Sequence, residues 1–106
     1  MKAILDHAAF ATQDLEKSVD FFEKVFGMTV ERTSGEAPNR KVWFDQGVQL
    51  NETEFQVQTG NQCDHICLKV SDRAEATKKA IECGGAEIKE NWIRTPDGIV
   101  IELYTF

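Results

Sequence analysis

Apolar residues recur along two segments of the chain at the spacing of an amphipathic helix. In the first segment they stand at i, i+4, i+7 and i+11, as Leu15, Val19, Phe22 and Phe26. Asp14 precedes this run and Gly27 follows it, which are residue types that begin and end helices. A second helix is predicted between Asp72 and Gly84-Gly85, with a thinner apolar line of Ala76, Ala80 and Cys83.

Strand-type segments surround both helices in the same order. One precedes each helix, near residues 3–11 and 64–70. Others follow near residues 28–33, 41–46 and 48–57 in the first half, and near 86–93 and 99–105 in the second. Turn signals, Asp45-Gln46-Gly47 and Thr95-Pro96-Asp97-Gly98, lead into the last strand of each half. The pattern therefore predicts the order βαβββ twice, with the second half compressed.

Single residues repeat along with the elements. The matched pairs lie at one constant separation: Asp6 with Asp64, His7 with His65, Asp14 with Asp72, and Gly27 with Gly85. At a slightly shorter separation, Val48-Gln49-Leu50 matches Ile101-Glu102-Leu103. We predict one α+β domain over residues 1–106, with modules at about 1–58 and 63–106. The two βαβββ modules are expected to form a curved mixed sheet around a cleft, with the helices on its outer face.

Alternation along the strands assigns polar residues to the face opposite the helices. Ile66, Leu68 and Val70 form an apolar face near the start of the second module, which leaves His65 on the reverse. The same argument leaves four residues on the cleft side of both modules: His7, Gln49, His65 and Glu102. Two imidazoles, a carboxylate and an amide oxygen suit a divalent transition metal (Ni, Co, Zn, Mn or Fe(II)) in a site with open positions.

The composition and charge of the chain limit the classes of molecule that it can bind. The 106 residues are 42% hydrophobic and 28% charged, with eighteen acids, twelve bases and a formal net charge of −6. Such a chain repels nucleic acid and anionic membranes, which favours a small molecule or another protein. Three cysteines and an N-terminal apolar run of only three residues predict reduced thiols, no membrane segment and a cytoplasmic location.

At this point the chain resembles the vicinal oxygen chelate superfamily, which includes glyoxalase I, methylmalonyl-CoA epimerase, fosfomycin-resistance thiol transferases, extradiol dioxygenases and bleomycin-resistance proteins. The resemblance rests on Asp6-His7, the run from Asp14 to Met28, Asp64-His65-Ile66, and the run from Thr95 to Leu103. It implies metal ligands on the first and last strands of each module and a homodimer. It also implies a lyase or isomerase that acts on a small oxo or hydroxy-carbonyl substrate through a metal-stabilised enediolate, with Glu102 as ligand and base.

The resemblance is uneven across the superfamily. The His/Gln/His/Glu set looks like that of the epimerases, which use a further acid as a second base, here Glu36 or Glu52. Gln49 replaces the carboxylate that many bacterial glyoxalases place on the metal. Ala9 stands where the fosfomycin enzymes need a hydroxyl, and the extradiol dioxygenases are far longer chains.

A metal-free binding protein of the bleomycin-resistance type is the alternative function. Its aromatic cleft would use Trp43, Phe44, Phe55, Trp92 and Tyr104, and the negative charge of the chain suits a cationic guest. In either case the residues expected to line the cleft are Trp43, Asn51, Cys67, Lys69, Trp92, Arg94 and Tyr104. The sequence leaves open whether the metal site lies within one chain or between two.

Overall fold

Each half of the chain folds as a strand, a helix and three further strands. The computed structural model describes residues 1–2, 6–55 and 65–106. The first module comprises β1 (Ala8–Thr12), α1 (Leu15–Phe26), β2 (Val30–Ser34), β3 (Lys41–Phe44) and β4 (Val48–Glu52). The second comprises β5 (Ile66–Val70), α2 (Arg73–Glu82), β6 (Ala86–Lys89), β7 (Trp92–Arg94) and β8 (Val100–Thr105). The predicted α+β class and the βαβββ repeat are confirmed, whereas the predicted module boundaries at 58 and 63 lie outside the described residues.

The eight strands form two four-stranded sheets rather than one continuous sheet. The strand orders are β1-β4-β3-β2 and β5-β8-β7-β6. In both sheets the first strand of the module pairs in parallel with the last, and the other pairs are antiparallel. The helix of each module is the crossover that makes this parallel pairing possible.

Some strands differ in length from the prediction. The segment expected near 86–93 is a tight hairpin, in which β6 turns into β7 at Glu90-Asn91. Asn91 has φ 64°, a conformation that Asn tolerates better than most residues. Strand β4 ends at Glu52, whereas the predicted strand continued to residue 57. Residues 3–5, 56, 57 and 64 of the predicted strands lie outside the described residues.

Helix α1 begins and ends as the sequence predicts. The Asp14 carboxylate accepts a hydrogen bond of 3.1 Å from the Lys17 backbone N–H, and Gly27 closes the helix at φ 65°. Its buried residues are Leu15, Ser18, Phe21, Phe22 and Val25. Val19 and Phe26, which the spacing predicts as core, are only partly buried. The buried face is broader than the predicted line because α1 also packs against the second module.

Helix α2 is the shorter of the two described helices. The Asp72 carboxylate accepts a hydrogen bond of 3.0 Å from the Glu75 backbone N–H, as an N-cap does. Ala76 and Ala80 are buried as predicted, while Cys83 is the C-cap residue and only partly buried. Neither described helix is long and apolar enough to cross a membrane.

The two modules meet through their helices. Helix α1 packs on β4, α2 packs on β6, β7 and β8, and the helices contact each other within one hydrophobic core. The Ser18 hydroxyl donates to the Asp97 carboxylate of the second module and also bonds the Thr12 hydroxyl at 2.8 Å. Gly85 packs so tightly that a Cβ there would lie 2.9 Å from Phe21 Cε2. One face of each sheet is thus used for packing, and the other stays outside the shared core.

We call the faces opposite the helices the open faces. Strand alternation and the observed registers assign residues to them, since the apolar residues Phe10, Leu50, Ile101 and Leu103 are buried on the helix side. The open face of the first sheet carries Ala9, Ala11, Arg32, Ser34, Lys41, Trp43, Gln49 and Asn51. The open face of the second carries Cys67, Lys69, Ala86, Lys89, Trp92, Arg94, Val100, Glu102 and Tyr104.

Candidate functional site

His65 and Glu102 form one half of the candidate site, on the second sheet. His65 directly precedes β5, and Glu102 lies in the neighbouring strand β8, opposite Cys67. His65 Nε2 and Glu102 Oε1 are 3.5 Å apart. The two side chains keep 34% and 23% of their surface exposed, so a solute can reach both. An imidazole and a carboxylate at this distance can share one metal ion.

His7 lies in the other module, directly before β1. Its Nδ1 is 2.8 Å from Asp6 Oδ2. An ionised carboxylate can only accept, so this contact places the ring hydrogen on Nδ1 and leaves the lone pair of Nε2 for a metal. The same arrangement orients the ligating histidine in many metal sites. Asp64, the repeat equivalent of Asp6, lies outside the described residues.

Gln49 stands beside β1 on the open face of the first sheet, opposite Ala9. Only 6% of its surface is exposed. Its Nε2 donates a hydrogen bond of 2.7 Å to Asn51 Oδ1, so the predicted cleft residue Asn51 orients the amide. This orientation leaves Oε1, the oxygen that binds metal ions, as the atom of Gln49 available to a ligand.

The two halves of the candidate site lie on different sheets. His7 and Gln49 belong to the first sheet, and His65 and Glu102 to the second. Among the residues that the structure describes, no three His, Cys, Asp or Glu side chains come together where they could hold a metal ion. The meeting of all four predicted ligands stays a prediction, and each module presents half of the set.

Each half of the site adjoins a tryptophan that is covered by a cation. The Arg32 guanidinium lies 4.0 Å from the centre of the Trp43 ring, and Lys89 Nζ lies 4.8 Å from the centre of the Trp92 ring. The Trp92 ring also packs edge-on against the His65 ring, with centroids 4.8 Å apart. Both tryptophans are among the residues predicted to line the cleft, and neither cation is. Strand alternation does not assign Arg32 or Lys89 to the open faces, because it is interrupted one residue before each of them.

The other predicted cleft residues are spread over the second sheet. Cys67 lies opposite Glu102, and desolvation together with the Glu102 carboxylate raises the pKa of its thiol, so it is a poor nucleophile at neutral pH. Lys69 lies opposite Tyr104, which is 51% exposed. Arg94 is exposed beside Val100.

Two cavities are relevant to these residues. A cleft of about 300 Å³ opens beside His7 and is also lined by Arg32, Trp43 and Glu31. A larger cavity of about 620 Å³ lies between the end of α1 and the start of α2 and includes Lys69. The larger cavity contains none of the four predicted metal ligands. The smaller cleft contains His7 and is therefore the one that belongs to the candidate site.

Three residues named by the alternative hypotheses are placed differently from one another. Phe44 is a core residue with 3% of its surface exposed and also contributes to the lining of the cleft beside His7. Phe55 is 81% exposed at the end of a described segment. Glu52 faces the helix side, where its oxygens accept hydrogen bonds of 2.8 and 2.6 Å from the Arg40 guanidinium. This pairing lowers the pKa of Glu52 to about 2, which makes it a weak base.

Comparison with known proteins identifies the family. The profile of the glyoxalase/bleomycin resistance protein/dioxygenase superfamily matches residues 4–103. The chain belongs to this superfamily. Among curated relatives, a lactoylglutathione lyase of Escherichia coli O157:H7 is 30% identical over 120 aligned positions, which span 92% of this chain and 88% of that protein.

Solved structures of superfamily members share the fold. The fosfomycin resistance protein FosX of Listeria monocytogenes superposes with a TM-score of 0.82 at 18% identity, covering 100% of this chain and 93% of that one. The trypanothione-dependent glyoxalase I of Leishmania major gives a TM-score of 0.78 at 20% identity, covering 98% and 87%. One FosX structure is a complex with Mn(II) and sulfate.

Proposed function

We propose that this protein is a metal-dependent lyase or isomerase of the glyoxalase I type, acting on a small oxo or hydroxy-carbonyl compound. The observation that carries the proposal is the contact between His65 and Glu102, which are exposed to solutes on an open sheet face. The similarity to a lactoylglutathione lyase supports the same class of reaction.

The donor groups fit a divalent transition metal. We infer that His65 Nε2, Glu102, His7 Nε2 and Gln49 Oε1 hold it, with two positions left for water or substrate. When bound, such an ion supplies Lewis acidity to two neighbouring substrate oxygens. The Asp6 carboxylate keeps the His7 ring in the tautomer that this role needs.

A second copy of the chain completes the proposed site. The modules of one chain pack through their helices, and each open face carries only half of the donors. In a two-fold dimer, the first sheet of one subunit can face the second sheet of its partner. Each dimer then has two equivalent sites, each with His7 and Gln49 from one subunit and His65 and Glu102 from the other.

The proposed reaction moves one proton between adjacent carbons and a second proton from the hydroxyl oxygen to the neighbouring carbonyl oxygen. Glu102 accepts the proton from the carbon that carries the hydroxyl group and returns it to the neighbouring carbonyl carbon. The two carbons exchange oxidation levels, so no external oxidant or reductant is consumed. The Glu102 carboxylate keeps 23% of its surface exposed beside the His65 ring, so a substrate carbon can reach it.

The alternative functions have less support from the side chains. Arg32 and Lys89 already cover the faces of the two tryptophans, which disfavours the binding of a cationic guest on those rings. For an epimerase, Glu52 is paired with Arg40 on the helix side, and the other candidate base, Glu36, is exposed in the connection between β2 and β3. Ala9 provides no hydroxyl for fosfomycin-type chemistry.

The test combines metal content with activity. Protein reloaded separately with Ni, Co, Zn, Mn or Fe(II) is assayed for bound metal and for conversion of the methylglyoxal–glutathione hemithioacetal and of small 2-oxo acids. Glu102→Gln should lower turnover by a factor of about 10² or more, as the loss of a general base does. Glu87→Gln is the matched control, because Glu87 lies in the same sheet on the opposite face. Absence of metal binding in every case, or full activity of Glu102→Gln, would refute the proposal.

A further inference from the structure

A β-bulge stands at the equivalent place in each module. In the first hairpin the register shifts between Val30 and Arg32, and in the second it shifts between Glu87 and Lys89. In both cases the first paired residue after the bulge is a cation. Bulges redirect side chains and are common next to functional sites. A bulge at the equivalent place in two modules with different hairpin lengths therefore indicates that the side chain after it has a function.

The bulges place the cations in matching rows across the two sheets. Pairing partners in three consecutive strands form one row in each module: Arg32, Trp43 and Gln49 in the first, and Lys89, Trp92 and Glu102 in the second. Adjacent strands are about 4.8 Å apart, so each row sets a cation, an indole ring and a proposed metal ligand side by side. The two modules thus present the same arrangement of side chains beside each half of the donor set.

Charge is distributed unequally between the faces of the sheets. The chain as a whole has eighteen acids and twelve bases. The paired residues of the open faces nevertheless include the cations Arg32, Lys41, Lys69, Lys89 and Arg94. Glu102 is the sole acid among the described residues paired on these faces. The charged residues at the paired positions of the open faces are therefore mostly cations, and cations attract anions. The cleft beside the first row is also lined by the carboxylates of Asp6, Glu31 and Asp45, so the cationic character belongs to the paired positions themselves.

The two row cations have no carboxylate partner among the described residues. Lys24, Lys79 and Arg40 all form ion pairs with acids on or beside the helices. Within the part of the chain that the structure describes, the charged groups of Arg32 and Lys89 lie over tryptophan rings and form no ion pair. Such a contact fixes the position of a cation and leaves its N–H groups able to donate to an anion.

We propose that the two cation–tryptophan pairs, Arg32 on Trp43 and Lys89 on Trp92, are binding subsites for the carboxylate groups of a small organic acid. This inference adds to the proposed function that the substrate is negatively charged. It rests on the proposed function only in placing a metal ion next to the two subsites. A charge-assisted hydrogen bond from the guanidinium or ammonium group holds the carboxylate. The carbon skeleton of the acid then lies beside the cation-covered indole, with its oxygens towards the donor pairs.

The experiment uses metal-free protein, so its outcome does not depend on the metal site. The full-length chain is stripped on a chelating resin and titrated with malonate at constant ionic strength. Trp43 and Trp92 are its two tryptophans, and their fluorescence reports both subsites directly. We expect a saturable change with malonate and none with malonamide, which has the same shape without charge. Inorganic phosphate, in a parallel titration, should bind at least about tenfold more weakly than malonate.

Variants assign the response to the proposed residues. Arg32→Gln and Lys89→Gln should each raise about tenfold the Kd for malonate at the subsite that holds the altered residue, because each removes a charged hydrogen-bond donor. Trp92→Phe leaves Trp43 as the reporter of the Arg32 subsite. Lys78→Gln makes the same change in net charge on the exposed surface of α2 and should alter the Kd less than about twofold. All variants are checked for folding by circular dichroism; Arg32, Lys78 and Lys89 are exposed, and Trp92 is half-buried.

Three results would overturn the inference. The first is an equal response to malonamide and malonate, which would show that charge is not recognised. The second is an equal loss of binding in Lys78→Gln and Arg32→Gln, which would reduce the effect to net charge. The third is binding of phosphate but not of malonate, which would assign the rows to phosphoryl groups. If malonate binds as expected while no metal does, the subsites stand and the proposed lyase or isomerase function fails.

Discussion

Mixing two inactive variants tests whether the proposed metal site is shared between subunits. His7→Ala removes a ligand from the first sheet, and His65→Ala removes one from the second. In a homodimer of either variant, both sites lack one histidine, so neither should retain tightly bound metal. In a mixed dimer, one site lacks both histidines, while the other takes His7 from one subunit and His65 from its partner and is intact.

The expected recovery follows from the two-fold symmetry. Random reassociation of equal amounts makes about half of the dimers mixed, and each has one intact site of its two. The mixture should therefore bind about one quarter of the metal of the unaltered protein, and regain about one quarter of its activity. Subunits are exchanged in mild urea, mixed dimers are quantified by native mass spectrometry, and bound metal is measured after desalting.

A second mixture provides the control. When the double variant His7→Ala/His65→Ala is mixed with unaltered protein, shared sites survive only in unaltered dimers, at about one quarter of the full number. Sites within single chains would survive at about one half. No recovery in the first mixture and half in the second, with mixed dimers present in both, would refute the shared site.

Three further predictions concern single residues. Asp6→Asn should weaken metal binding, measured by competition with a chelating dye, about 10–100-fold without changing the melting temperature, because the asparagine no longer orients the adjacent His7 ring. Gly85→Ala should lower the free energy of unfolding by about 1–3 kcal/mol in urea, since the new Cβ would lie 2.9 Å from Phe21 Cε2; an unchanged midpoint would contradict this packing. Arg40 lowers the pKa of Glu52 from 4.5 to about 2, so the stabilisation is complete above pH 4.5 and is lost as the pH falls towards 2. Glu52→Gln should therefore flatten the acid dependence of the urea midpoint, and an unchanged slope would exclude this role.

Local signals account for most of the elements. The residues Asp14 and Gly27 fixed the ends of α1, because a capping carboxylate and a left-handed glycine act on the nearest backbone groups. Alternation identified the polar faces of β4, β5 and β8, since side chains change sides at every residue of a strand. The hairpin at Asn91 was missed, because a two-residue turn within a short polar segment leaves little periodic signal.

The sequence by itself determined that two similar βαβββ modules exist and which side chains share each strand face. Capping, turn formation and alternation depend on neighbours along the chain, so the residues of one segment are enough to specify them. Only the tertiary structure decided that the modules pack through their helices and divide the proposed ligands between two open faces. It also decided that Arg32 covers Trp43 as Lys89 covers Trp92. Hairpins of different length separate these partners along the chain, and only strand pairing after each bulge brings them into equivalent rows.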